Sequence, residues 1–186
     1  MRGLPRDVAI LPLVKHRDAR GWLSEVFRRD RIDHDPCQWN VTASEPNVLR
    51  GMHVHVRHRD YLVVLQGRLS VGLFDIRPQS PTYHRPAMVT LAGDRLAALR
   101  IPVGVMHGFY SHEGTIHLYG VDAYYDAADE LGCHWADPRL SLAWPCTAPA
   151  LSERDARAGT LDDVEAQYRE HAPPRAVVAL RRPAAV

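Results

Sequence analysis

Two histidines two residues apart, His53 and His55, are followed by a carboxylate at Asp60 and a glycine at Gly67; some forty residues later comes Pro102-Val103-Gly104-Val105-Met106-His107. On an extended strand, residues i and i+2 point to the same face, so His53 and His55 can look into one interior together. Imidazoles joined by one carboxylate suit zinc, iron, nickel or manganese, whereas a run of carboxylates would suit calcium. His53, His55, Asp60 and His107 are therefore a candidate metal-ligand set. The same histidines are also candidates for proton transfer near neutral pH.

Short strands must position these groups. Residues 61–65 (YLVVL) form an apolar run, Gln66-Gly67 reads as a turn, and 68–76 (RLSVGLFDI) places Leu69, Val71 and Leu73 on one face, together predicting a hairpin. Further strand-like runs near 86–91, 95–101 and 115–125 are separated by Gly93-Asp94, Pro102-Val103-Gly104 and Glu113-Gly114. Regular short strands with such punctuation predict an all-β jelly roll or barrel. Near the C-terminus, Thr160 with Asp163 forms a capping box, and Leu161, Val164 and Tyr168 follow helical spacing through His171, predicting one short surface helix. The segment 172–186, rich in proline and arginine without periodicity, reads as a flexible tail, leaving 1–171 as one domain.

The composition excludes several classes of function. A formal net charge of +1, with no basic block, argues against nucleic acid or a membrane surface as partner. No apolar stretch reaches the roughly 18 residues a membrane span needs, and the first residues do not resemble a secretion signal. Cys37, Cys133 and Cys146 are odd in number and widely spaced, which fits packing thiols in a reducing cytoplasm.

The HVH segment with its downstream carboxylate and glycine, together with PVGVMH, resembles the paired signatures of the cupin superfamily. Reading outward, the chain resembles the nucleotide-sugar epimerases related to dTDP-4-dehydrorhamnose 3,5-epimerase over roughly residues 17–155. The resemblance is carried by DARGWLSEVF (18–27), QWN (38–40), NVLRGMH (47–53), SPTY (80–83), IPVGVMHGF (101–109), LYGVDAYYD (118–126), WADPRLSLAWP (135–145) and LSERD (151–155). It implies a cupin barrel, a homodimer with exchanged N-terminal strands, a nucleotide-sugar ligand across the barrel mouth, and no required cofactor. It further implies His53 as the base, Asp155 as its orienting partner and Tyr119 as the acid. Arg20 and Arg50 resemble the pyrophosphate ligands; Glu25, Gln38 and Asn40 resemble base or phosphate contacts; Tyr125 resembles the aromatic beside the nucleobase; and His107 resembles a sugar-pocket histidine.

The chain departs from that family at two positions. Where members of the family typically carry a lysine seven residues before the hairpin glycine, this chain has Asp60, and its single lysine, Lys15, lies far upstream. An ammonium about 4 Å from a developing enolate is worth on the order of 4 kcal/mol at an effective dielectric near 20, or about a thousandfold in rate. The second departure is His55, where the family tends to have glutamine. A divalent ion on His55, Asp60, His107 and His53 would restore the lost positive charge, while competing for the lone pair that His53 needs as a base. The bland alternative pairs His55 and Asp60 with Arg57, Arg59 or each other. Three functions are therefore in view: a 4-keto-6-deoxy-sugar epimerase acting at C3, C5 or both; a metal-dependent cupin enzyme on another small substrate; and a nucleotide-sugar-binding protein without turnover.

Overall fold

The computed structural model describes residues 3–171. In chain order the strands are β1 (Ala9–Pro12), β2 (His16–Asp18), β3 (Gly21–Leu23), β4 (Gln38–Ser44), β5 (Leu49–Val54), β6 (Asp60–Gln66), β7 (Arg68–Asp75), β8 (Pro86–Ala92), β9 (Ala97–Ile101), β10 (Val105–Ser111), β11 (Thr115–Val121) and β12 (Leu131–Gly132). A single-turn helix, α1 (Glu153–Ala156), precedes α2 (Leu161–His171). Two five-stranded sheets, ordered β1-β9-β6-β11-β4 and β12-β5-β10-β7-β8, face each other in a jelly roll. The strands β2 and β3 pair only with each other. Among the described residues no helix is long and apolar enough to cross a membrane.

The expected hairpin across Gly67 does not form. β6 pairs with β9 and β11, whereas β7 pairs with β8 and β10 in the opposite sheet. One residue separates the two strands, fewer than a paired hairpin turn uses, and Gly67 takes φ +75° to pass the chain from sheet to sheet. A Cβ there would lie 2.5 Å from the Gly114 carbonyl oxygen, so the crossing also needs glycine for space. Alternation reports which face a residue takes but not which strand lies beside it.

Inward-facing positions are apolar at one end of the jelly roll and polar at the other. Leu62, Val64, Leu69, Val71, Leu73, Leu99, Ile101 and Val105 form the interior cluster. Continuing the same alternation along their strands, Asp60 precedes Leu62 and His107 follows Val105. The outer face of the second sheet is covered by α2, whose Leu161, Val164 and Tyr168 join Met52, Val54, Phe74 and Met106 in a second cluster. β7 is thus covered on both faces, which explains its nearly continuous burial. The capping box is present: the Asp163 carboxylate accepts from Thr160 N at 2.8 Å, and Asp163 N donates to the Thr160 hydroxyl at 3.3 Å. The helix is therefore half core rather than purely surface, and the short α1 was not expected. The proposed tail, 172–186, lies outside the described residues.

The three cysteines are unpaired. Cys133 is buried, which pushes its thiol up to about 12, while Cys37 is exposed and has no packing role.

His117, on β11, is fully buried and meets the Phe109 ring edge-on at 4.7 Å; neither ring nitrogen has a hydrogen-bond partner among the described residues. Burial, and secondarily the charge of Arg50, push this imidazole from 6.5 down to about 4. Between those values the unfolded chain binds a proton that the folded chain refuses, so the stability present above about pH 6.5 is lost as pH falls toward 4. His117→Phe should flatten this acid-side loss by on the order of 2 kcal/mol, as read from denaturant midpoints measured across that range. An unchanged pH profile would contradict this account of the ring.

Candidate active site

The polar end of the jelly roll opens into a cavity of about 340 Å³ lined by residues of both sheets. Most of the residues singled out from the sequence meet there: Gln38, Asn40, Arg50, His53, His55, Asp60, His107, Tyr119, Tyr125 and Asp155 all contribute to its wall.

Arg50 and His53 are three apart on β5, a spacing that regular alternation would send to opposite faces. The pairing with β10 slips between these positions: His53 lies opposite His107 and Arg50 opposite Phe109, so two residues of β5, Gly51 and Met52, face the single Gly108 of β10. This irregularity turns both side chains into the cavity, and the close approach of Gly51 to Gly108 requires glycine, because a Cβ on Gly51 would sit 2.6 Å from the Gly108 Cα.

His53 Nε2 lies 2.7 Å from Asp155 Oδ1. Asp155 is itself fixed. Its backbone N–H donates to the Ser152 hydroxyl that caps α1, and its second carboxylate oxygen accepts from Gly51 N at 3.3 Å. Burial works to raise the Asp155 carboxyl, but the hydrogen bond and charge of His53 with the Gly51 N–H outweigh it and hold the group below the usual carboxylate range. An ionised Asp155 keeps the proton on Nε2 and leaves Nδ1 of His53 as the basic nitrogen. Tyr119 stands on β11 in the opposite sheet, so the cavity is flanked by His53 on one side and a phenol on the other. Burial, then the charges of Asp60 and Glu130, raise that phenol and keep it protonated at neutral pH.

Toward the rim, the Arg50 guanidinium donates to the Ser44 hydroxyl at 3.1 Å and the Ala43 carbonyl at 3.3 Å. Gln38 donates to Asn40 Oδ1 and accepts from Tyr125 N, each at 3.1 Å, which holds the Tyr125 backbone at the mouth with its ring outward.

Arg20 and Glu25 are not in this cavity. Arg20 occupies the β2–β3 turn with its side chain 90% exposed and bound to Asp18, and Glu25 lies beside Arg28 at 3.5 Å. Within one chain the hairpin that carries Arg20 joins neither large sheet, so neither residue reaches the other site groups.

The four-residue metal set is also divided. Ligand atoms of His55, Asp60 and His107 lie within 4.8 Å of one another, whereas His53 Nε2 is occupied by Asp155. Nor do the arginines neutralise Asp60: Arg57 pairs with Asp126 and Arg59 with Asp122. Burial pushes the Asp60 carboxyl up to about 7, against the opposing influence of His58. Burial likewise takes His107 down to about 4, and burial followed by the charges of neighbouring histidines takes His55 well below 6.5.

Several site residues had no sequence signal. Glu130 and Arg154 line the cavity as an ion pair at 3.2 Å, and His58 lines it beside the stacked ring of His55. Asp129 lies behind them, accepting from Val56 N at 2.6 Å, Arg57 N at 3.1 Å and His58 Nδ1 at 2.9 Å. These acidic groups sit in an irregular segment whose return to the barrel no motif announces.

With the site described, likeness to known proteins can be judged against it. A family model described as dTDP-4-dehydrorhamnose 3,5-epimerase matches residues 5–163. The chain belongs to this family. The dTDP-4-dehydrorhamnose 3,5-epimerase of Escherichia coli K12 is 32% identical over 169 residues, covering 85% of this chain and 91% of that protein. A crystal structure of dTDP-6-deoxy-D-glucose-3,5-epimerase from Legionella pneumophila, in complex with dTDP-4-keto-L-rhamnose, superposes with a TM-score of 0.83 at 28% identity, covering 93% of this chain and 98% of that one. ChmJ, a 3'-monoepimerase from Streptomyces bikiniensis solved with dTDP-quinovose, gives a TM-score of 0.79 at 30% identity, covering 88% of this chain and 90% of that one. The cupin jelly roll is that of the family, and the chain is an isomerase of nucleotide-linked keto-deoxysugars.

Because Asp129 holds the loop between β5 and β6 by three hydrogen bonds, Asp129→Ala should cost about 2–4 kcal/mol in urea unfolding, since two buried donors and one partly buried donor lose their acceptor together. A cost below about 1 kcal/mol would show that this loop does not depend on the carboxylate.

Proposed function

We propose that the protein epimerises a nucleotide-linked 4-keto-6-deoxy sugar at a carbon beside the ketone. The observation that carries this reading is the His53–Asp155 pair facing Tyr119 across one cavity. His53 Nδ1 takes the proton from the carbon next to the ketone, and the electron pair left behind moves onto the keto oxygen as an enolate. The Tyr119 hydroxyl then returns a proton to the same carbon from the opposite face, inverting it. Solvent removes the proton gained by His53 and replaces the one lost by Tyr119. Asp155 fixes the tautomer and stabilises the imidazolium formed on the way.

In this reading the cavity holds the sugar, with His107 against it; Arg50 takes a pyrophosphate oxygen; and Gln38, Asn40 and the outward ring of Tyr125 receive the nucleoside at the rim. A guanidinium fork matches paired phosphate oxygens, and an exposed phenol ring offers a stacking face. C3, C5 or both remain eligible, since the solved relatives include both a 3,5-epimerase and a 3'-monoepimerase.

The working form is a homodimer in which the N-terminal strands are exchanged, so that Arg20 and Glu25 of one protomer reach the cavity of its partner. Three features support this: β2 and β3 stand apart from both sheets, Trp22 and Leu23 on β3 are exposed, and Arg20 points away from its own cavity. Residues 1–171 act as one domain, and the three free thiols fit a cytoplasmic location.

Incubation with dTDP-4-keto-6-deoxyglucose in deuterium oxide should place solvent deuterium beside the ketone. Asp155→Asn should lower that rate by 10²–10⁴ through loss of the correct tautomer. Tyr119→Phe should retain exchange at the abstracted carbon while losing inversion. Absence of exchange by the unaltered protein at high concentration would reject the reading.

A further inference from the structure

We infer that His55 Nε2, His107 Nε2 and the Asp60 carboxylate hold a divalent transition-metal cation at the barrel mouth, with its remaining coordination positions open to the cavity. The argument begins with where the protons are. His55 Nδ1 donates to the Asp129 carbonyl at 3.1 Å, and His107 Nδ1 donates to the Val105 carbonyl at 3.3 Å. Both neutral rings therefore present a lone pair on Nε2. Those two atoms lie 4.0 Å and 3.8 Å from Asp60 Oδ2. Asp60 is only 6% exposed, and among the described residues no donor reaches its carboxylate. Three potential ligand atoms thus converge on one point of the cavity wall, all within 4.8 Å of one another.

The local cations are committed elsewhere, Arg57 to Asp126 and Arg59 to Asp122. Two imidazoles and one carboxylate form a donor set for zinc, iron, nickel or manganese rather than for calcium or magnesium. Ligand atoms about 2.0–2.2 Å from a common ion stand roughly 3.0–3.6 Å apart, so the Asp60–histidine separations of 4.0 and 3.8 Å must close by about 0.2–1.0 Å. The carbonyl bonds at each Nδ1 already fix ring tautomer and orientation, as outer partners of metal-bound histidines do.

His53 is not a ligand in this arrangement. Asp155 holds its Nε2, so the base and the cation do not compete, contrary to the conflict that the four-residue set implied. The site stands on this geometry alone; a role at the substrate's ketone rests on the epimerase reading. A divalent ion polarises a carbonyl and neutralises enolate charge, the function that the family's lysine performs and that Asp60 by itself opposes.

The test uses the untagged full-length protein, purified without chelator for elemental analysis, then stripped and titrated with Zn²⁺ by calorimetry and with Co²⁺ by visible absorption. The expected result is stoichiometric uptake, a Zn²⁺-dependent rise in Tm, and Co²⁺ d–d bands, all lost in both Asp60→Asn and His107→Ala. Circular dichroism verifies that each variant folds, and the Tm shift of the unaltered protein does not depend on either. Trace metal with no uptake, or uptake surviving both substitutions, overturns the inference; a proton shared with Asp60 would give the former. Deuterium wash-in on the same samples separates the two readings. Stoichiometric metal without wash-in keeps the cation site and removes the epimerase assignment. Undiminished wash-in by stripped protein that takes up no metal does the reverse.

Discussion

The strict alternation of side chains along the facing strands is the constraint from which the site follows. In β6 the inward series runs Asp60, Leu62, Val64, and in β10 it runs Val105, His107, Phe109. Apolar members of these series fill the interior and weld the two sheets together. Their polar members cannot be accommodated in that cluster, so they collect at one end and become the wall of a cavity. Each strand supplies one or two such groups. Chemistry that needs a base, an acid and an electrophilic neighbour can then be assembled from separate strands at fixed spacing.

Two opposed sheets add a second property. Groups on β5 and β10 face groups on β6 and β11 across the cavity, so a flat sugar ring placed between them has a different reagent on each face. Inversion of a carbon next to a ketone requires that arrangement, because removal and return of the proton on one face would only regenerate the starting sugar. In the proposed reaction the His53–Asp155 pair serves one half of that exchange and the half-buried phenol of Tyr119 the other.

Much of this was legible in the sequence, since period-two alternation and glycine punctuation specify faces and strand limits. Alternation turned His53 and His55 to one face, the paired signatures added Asp60 and His107, and the family resemblance added Tyr119 and Asp155; all six line one cavity. What alternation and punctuation do not specify is strand neighbourhood. β6 and β7 read as a hairpin because Gly67 looks like a turn, yet pairing is decided by which strand offers hydrogen bonds at closure of the whole roll. The slip between β5 and β10 was equally hidden, although both Arg50 and His53 depend on it. Asp129 and Glu130 were missed because an irregular segment's return path leaves no periodic trace. Arg20 and Glu25 were expected at the site and lie elsewhere in the single chain.

Asp60 and His55 stand where the resemblance leads one to expect lysine and glutamine, and the surrounding bonds make the pair informative. Among the described residues Arg57 and Arg59 pair with Asp126 and Asp122, leaving Asp60 beside Nε2 of His55 and His107. The most direct test of the account is a crystal structure of the protein with a bound dTDP-linked keto-sugar, phased with anomalous data at the zinc edge. The account predicts the sugar ring between His53 and Tyr119, the keto oxygen turned toward Asp60, and a scattering peak within bonding distance of His55, Asp60 and His107. A sugar bound outside this cavity, with His53 and Tyr119 both away from the ring, would contradict it.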